Sequence, residues 1–221
     1  MFRSTEQTYD NNIYMKWIFN LYSVLMMNLG FSILCALFAV ATLFLSVSEQ
    51  TLGIFLLLLL PLWPAMISIF AAIDQYKKNR DISPFKFFFM NGLRNFGLKG
   101  LKYGGFVLLT LTITISDIFF FSSLPIVNIT IPFFVLLSAL IIAFSMNMMY
   151  FRVRNPESKE IDIIRVSVYY LLRKWYVSLL NVLLFSAMLG LMFVMPQFGF
   201  LLTPAIFIGI IFLNCSNLHK S

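Results

Sequence analysis

Apolar residues run along this chain in long blocks, and polar residues collect in short and long gaps between them. The apolar blocks are about Trp17 to Val47, Leu52 to Ile73, Tyr103 to Phe121, Ile129 to Tyr150, Tyr176 to Met195 and Phe200 to Leu213. A helix needs about 20 apolar residues to cross a bilayer, and most of these blocks reach that length. The short gaps read as outer turns: Ser48-Glu49-Gln50, Ser122 to Asn128 with Pro125, and Pro196-Gln197-Phe198-Gly199. The long gaps, residues 74–102 and 151–175, read as inner loops. The pattern predicts an all-α polytopic membrane protein with six transmembrane helices, arranged as three hairpins in a single integral membrane domain covering 1–221.

Two positions modify the spans. Pro61 and Pro64 lie inside the second, where a proline removes a backbone donor and clashes with the preceding turn, so a kink or break is expected there. Residues 13–22 are expected to begin at headgroup level, where Lys16, Trp17 and Tyr22 are at home.

Each inner loop also carries helical periodicity. Ser83 followed by Pro84 is a helix start, with Ser as N-cap and Pro at the first helical position. After it, Phe85, Phe89, Leu93, Phe96 and Leu101 recur near helical spacing, while Lys86, Arg94, Lys99 and Lys102 fall largely elsewhere. Gly92, Gly97 and Gly100 weaken this helix in isolation. In the second loop Asn155-Pro156 repeats the start. Ile161, Ile164, Val168, Leu171 and Trp175 form the apolar face, with Asp162, Arg165 and Arg173 mostly off it. Both segments are predicted to be amphipathic helices at the cytoplasmic interface.

Charge orients the picture. All 16 Lys and Arg residues lie in four places: the N-terminal tail, the two inner loops and Lys220. Positive charge collects on the cytoplasmic side of polytopic proteins, so both termini are expected inside. Composition agrees with a membrane class, at 60% hydrophobic and 11% charged residues against roughly a quarter charged in soluble domains. The net charge of +7 is confined to the inner segments. Anionic headgroups account for it, and no nucleic-acid partner is expected. The tail before the first block, with Glu6 and Asp10, does not read as a cleavable signal.

Reactive groups are sparse. Cys35 and Cys215 have no Cys-x-x-Cys neighbour, and the only histidine is His219, so no metal, cofactor or disulfide is expected. Asp74 and Asp117 stand at span ends, and the span interiors hold no Lys, Arg, His or Glu, which argues against a proton-coupled pump. Gly104-Gly105 lacks the Lys-Ser/Thr of a phosphate loop and reads as a helix-packing site or flexible entrance. Thr110 and Thr114 share a face of the third span, and Asn147, Asn181 and Asn214 lie near span ends. Such groups usually hydrogen-bond between helices. Asn128-Ile129-Thr130 matches a glycosylation sequon by pattern alone.

Two segments carry a family resemblance. One is Pro61-Leu62-Trp63-Pro64-Ala65; the other is Asp81-Ile82-Ser83-Pro84-Phe85-Lys86-Phe87-Phe88-Phe89, followed by Arg94-Asn95-Phe96. Through these, most of the chain resembles the YesL family of small bacterial membrane proteins. The Gly97 to Gly100 region departs from that pattern. The resemblance implies a bacterial cell membrane protein encoded near carbohydrate ABC importers, hence an accessory partner for sugar uptake rather than an enzyme. On that reading Phe85, Phe88, Phe89, Arg94, Asn95, Phe96 and Lys99 are candidate contacts to permease subunits or lipid. The alternative is an independent small-solute transporter or facilitator, motivated by the broken second span and the hairpin repeat. A membrane enzyme is a third class, with only Asp74, Asp81 and Asp117 as candidate acids.

Overall fold

The computed structural model describes residues 13–46, 48–78, 84–122 and 127–218. No strand occurs among them. The helices are α1 Ile13–Leu34, α2 Ala36–Phe44, α3 Glu49–Leu58, α4 Leu62–Lys78, α5 Pro84–Phe87, α6 Arg94–Ser122, α7 Val127–Arg154, α8 Glu160–Arg173, α9 Trp175–Val194, α10 Pro196–Leu202 and α11 Pro204–Leu218. A π-helical turn, Phe88–Leu93, joins α5 to α6. Among the described residues, five helical stretches are long and apolar enough to cross a membrane: Trp17–Leu34, Gln50–Lys77, Phe85–Ile118, Ile131–Arg154 and Trp175–Val194. The pair α10 and α11, bent by 48°, makes a sixth when counted as one span.

The helix α4 is the centre of the bundle. It touches α1, α6, α7 and α11, and Ala65, Met66, Ile67, Ser68, Ile69 and Phe70 are completely buried. A helix apolar all round is stable only when surrounded, and here protein rather than lipid surrounds it. Phe70 meets Phe212 of α11 at 5.6 Å between ring centroids, and Phe212 meets Tyr150 of α7 at 5.3 Å. Nearer the start of α3, Phe38, Phe55, Phe193 and Phe200 pack edge to face, the arrangement ring quadrupoles favour. The outward faces of α1, α6 and α9 carry exposed Leu21, Leu25, Phe106, Leu109, Leu180 and Leu183, as lipid-facing positions should.

The chain breaks between α3 and α4, at Pro61. There the backbone bonds tighten from four-residue to three-residue spacing: Leu60 N–H donates to Leu57 O and Leu62 N–H to Leu59 O, both at 3.1 Å. Four-residue spacing resumes when Ala65 N–H donates to Pro61 O at 3.2 Å. Pro61 and Pro64 lack N–H groups, so this is where the ladder must yield.

Several expected boundaries move. The first block is interrupted at Cys35 and is helical only to Phe44. Glu49 and Gln50 belong to α3 rather than to a turn, because Ser48 and Thr51 form a capping box: Ser48 N–H donates to Thr51 Oγ1 at 2.9 Å. Pro196 opens α10 at a first-turn position instead of making a turn. Asn155-Pro156 does not start α8; residues 155–159 form a turn, and the helix begins at Glu160. The Ser83 cap lies outside the described residues.

The largest correction concerns the first inner loop. Residues from Pro84 onward do not form a helix separate from the third span; they run through the π turn into α6 without a break. Glycines make this possible by letting two backbones close. A Cβ on Gly92 would lie 2.9 Å from the Ser68 backbone, one on Gly100 2.9 Å from Pro64 Cα, and one on Gly104 2.3 Å from the Trp63 ring. Gly92, Gly100 and Gly104 thus form the small-residue stripe on which α4 rests.

Candidate functional site

Among the expected contact residues, Phe88 is fully buried and packs where a Cβ on Gly30 would meet its ring at 2.8 Å, so it is core and not surface. Phe85 and Phe89 are half-buried and in mutual contact, with ring centroids 4.9 Å apart; Phe96 and Lys99 are also half-buried. Arg94 and Asn95 are exposed. The face they share is Lys86, Met90, Asn91, Arg94, Asn95, Leu98, Leu101 and Lys102, all exposed, Leu98 at 84%. This face mixes cations, amides and apolar side chains. Lipid tails disfavour the first two and water the third.

The length of the helix sharpens the point. Phe85–Ile118 has 34 residues, or about 51 Å at 1.5 Å each, against a hydrocarbon layer of about 30 Å. Its cationic side chains, Lys86, Arg94, Lys99 and Lys102, all lie between its start and about its midpoint.

Where α4 and α7 end and α9 begins lies the basic end of the bundle. Its anchor is Arg152, 2% exposed. Its Nη2 lies 2.6 Å from Glu160 Oε1, its Nε donates to Tyr103 Oη at 3.2 Å, and its Nη1 donates to Ser158 O at 2.7 Å. Tyr103 closes the ring by donating to Glu160 Oε2 at 2.9 Å. One guanidinium thereby ties α6, α7, the 155–159 turn and the start of α8 together. Beside it Arg154 pairs with Asp74 at 2.9 Å and stands over the Tyr150 and Phe212 rings at 6.0 Å. Asp74, weighed above as a candidate acid, is therefore held by an ion pair.

Burial raises the Glu160 carboxyl, and the hydrogen bonds from Arg152 and Tyr103 with the charges of Arg152 and Lys102 outweigh it, so its pKa is lowered from 4.5. A lowered carboxyl contributes stability that is present above its unfolded pKa and lost as pH falls through its folded one. Thermal scans are expected to show a loss below about pH 4.5 that Glu160→Gln reduces.

Amides complete the polar inventory. Asn147 Nδ2 donates to Ser178 Oγ at 3.3 Å, Asn181 Nδ2 to Cys215 Sγ at 3.3 Å and Asn214 Nδ2 to Asn181 Oδ1 at 3.0 Å, joining α7, α9 and α11. Thr110 and Thr114 instead donate to carbonyls of their own helix, Phe106 O and Thr110 O. Asn28 bridges the α10–α11 bend: Nδ2 donates to Leu202 O at 3.1 Å, and Oδ1 accepts from Ala205 N–H at 2.6 Å. Asn28→Leu should cost about 1–3 kcal/mol by leaving the buried Ala205 N–H and the part-buried Leu202 carbonyl unpaired, measurable as a lowered Tm in detergent.

Sequence reasoning missed Asn28 and the Arg152 cluster. Asn28 was legible only as a lone amide in an apolar run, and Arg152 as one of many loop cations. No family model matches the chain, and neither curated proteins nor solved structures give a match.

Proposed function

We propose that this is a non-catalytic multi-pass membrane protein that binds the permease subunits of a carbohydrate ABC importer as an accessory subunit. It crosses the membrane six times in three hairpins, with its basic end and both termini in the cytoplasm of a bacterial cell, as the inside-positive rule directs. The observation that carries the binding role is the exposed Lys86–Lys102 face. Exposed Met90, Leu98 and Leu101 among Arg94, Asn91 and Asn95 suit neither lipid nor water, and a protein partner satisfies both kinds of group. The carbohydrate importer enters through the resemblance of Pro61–Ala65 and Asp81–Phe96 to the YesL family.

Extraction from native membranes in a mild detergent, by a C-terminal tag, tests this. Mass spectrometry should find permease subunits in near-equal amounts, and Arg94→Glu with Lys102→Glu should remove them. A lone protein would oppose the reading.

A second reading, an independent small-solute facilitator, draws on the α10–α11 bend, since broken helices line many transport sites. Here Asn28 already bonds the groups freed by the bend, which favours the first reading. Solute flux into liposomes holding only this protein would reverse that order.

A further inference from the structure

The helix α8 lies across the end of α7, not alongside it. Glu160 and Tyr170 are ten residues apart on α8, about 15 Å, yet they meet the adjacent α7 residues Arg152 and Phe151, the latter as stacked rings at 5.2 Å. A helix so placed between two membrane-crossing stretches runs along the bilayer surface. Ile163 and Ser167 face the protein and are buried. The stripe beside them, Ile161, Ile164, Val168 and Leu172, is exposed and ends at exposed Trp175 and Tyr176, side chains suited to the headgroup layer.

Along the far edge of that stripe run Arg165, Tyr169 and Arg173, one turn apart. Arg173 Nη1 donates to Tyr169 Oη and its guanidinium lies over that ring at 5.6 Å. Arg165 has no carboxylate partner among the described residues. It opens into a groove it shares with Phe151, Asn155, Val166, Tyr169 and Tyr170. Asp162 is the acidic side chain on this flank, a turn nearer the helix start, so an anion fits best between Arg165 and Arg173.

From these features we infer that α8 holds an anionic phospholipid. Its acyl chains lie on Ile161, Ile164, Val168 and Leu172, and its phosphate sits between the guanidiniums of Arg165 and Arg173 beside the Tyr169 hydroxyl. Charge complementarity selects the occupant: a zwitterionic lipid would cover the stripe equally well, but its choline cancels its phosphate charge, whereas an anionic lipid brings net negative charge to the two guanidiniums. This site goes beyond the permease reading and does not depend on it, because it uses a different face.

Native mass spectrometry of the full-length protein, given equal phosphatidylglycerol and phosphatidylcholine, tests the inference. The wild type should retain phosphatidylglycerol with about tenfold preference. Arg165→Gln with Arg173→Gln should bring that near parity while leaving phosphatidylcholine bound. Lys86→Gln with Lys102→Gln should leave the preference intact. Equal retention by the wild type, or loss through the Lys86 and Lys102 changes instead, overturns the assignment. So does displacement of the lipid by millimolar inorganic phosphate, which would mark a free-anion site. Capture of a polypeptide instead of lipid by a photoreactive residue at Val168 in native membranes overturns it as well.

Discussion

Gly104→Ala is expected to destabilise the protein by about 1–3 kcal/mol, while Gly105→Ala, one residue on, is expected to stabilise it by roughly 0.5–1 kcal/mol. The added methyl at Gly104 would stand 2.3 Å from the Trp63 ring, whereas at Gly105 it meets nothing within 4 Å. Trp63 has little room to retreat: it is 2% exposed and packs on Phe185 at 5.7 Å. At Gly105 only the helix propensity of alanine acts. Thermal denaturation in one detergent compares the two directly. Effects of equal sign would mean that α4 and α6 do not approach as described.

Removing Arg152 is the second large effect. Arg152→Met should cost about 1–3 kcal/mol, because it removes the bonds to Tyr103 and the Ser158 carbonyl and frees the 155–159 turn, while water partly solvates the 38% exposed Glu160 carboxylate. Arg152→Lys should recover little. The guanidinium reaches Tyr103, Ser158 and Glu160 from three different nitrogens, and a single ammonium cannot copy that fork. Denaturation midpoints together with protease nicking at residues 155–159 report both consequences. Wild-type behaviour of Arg152→Lys would show that the cluster is held by charge alone.

The sequence made the apolar spans and the Pro61 break legible, since both follow from the length of apolar runs and from proline's missing donor. It did not reveal which apolar faces meet protein and which meet lipid. Both environments are apolar, so Ile67 in the bundle centre and Leu109 on its surface look alike in the pattern. Gly92 and Gly100 read as weak points in a helix, yet α4 packs against both too closely to admit a side chain. Local propensity lost there to a tertiary contact. Asn28 acts on Leu202 and Ala205, more than 170 residues away, and no local signal encodes that pairing. Of the candidate contacts drawn from the resemblance, Arg94 and Asn95 stand on the exposed face, whereas Phe88, at the start of the π turn, points into the core.

The binding role is tested most directly by a photoreactive residue at Asn95, activated in native membranes. Crosslinks to permease-sized polypeptides, lost with Arg94→Glu, are the expected result. Crosslinks to lipid alone at Asn95 would contradict the account, since the exposed Lys86–Lys102 face would then have no protein to cover it.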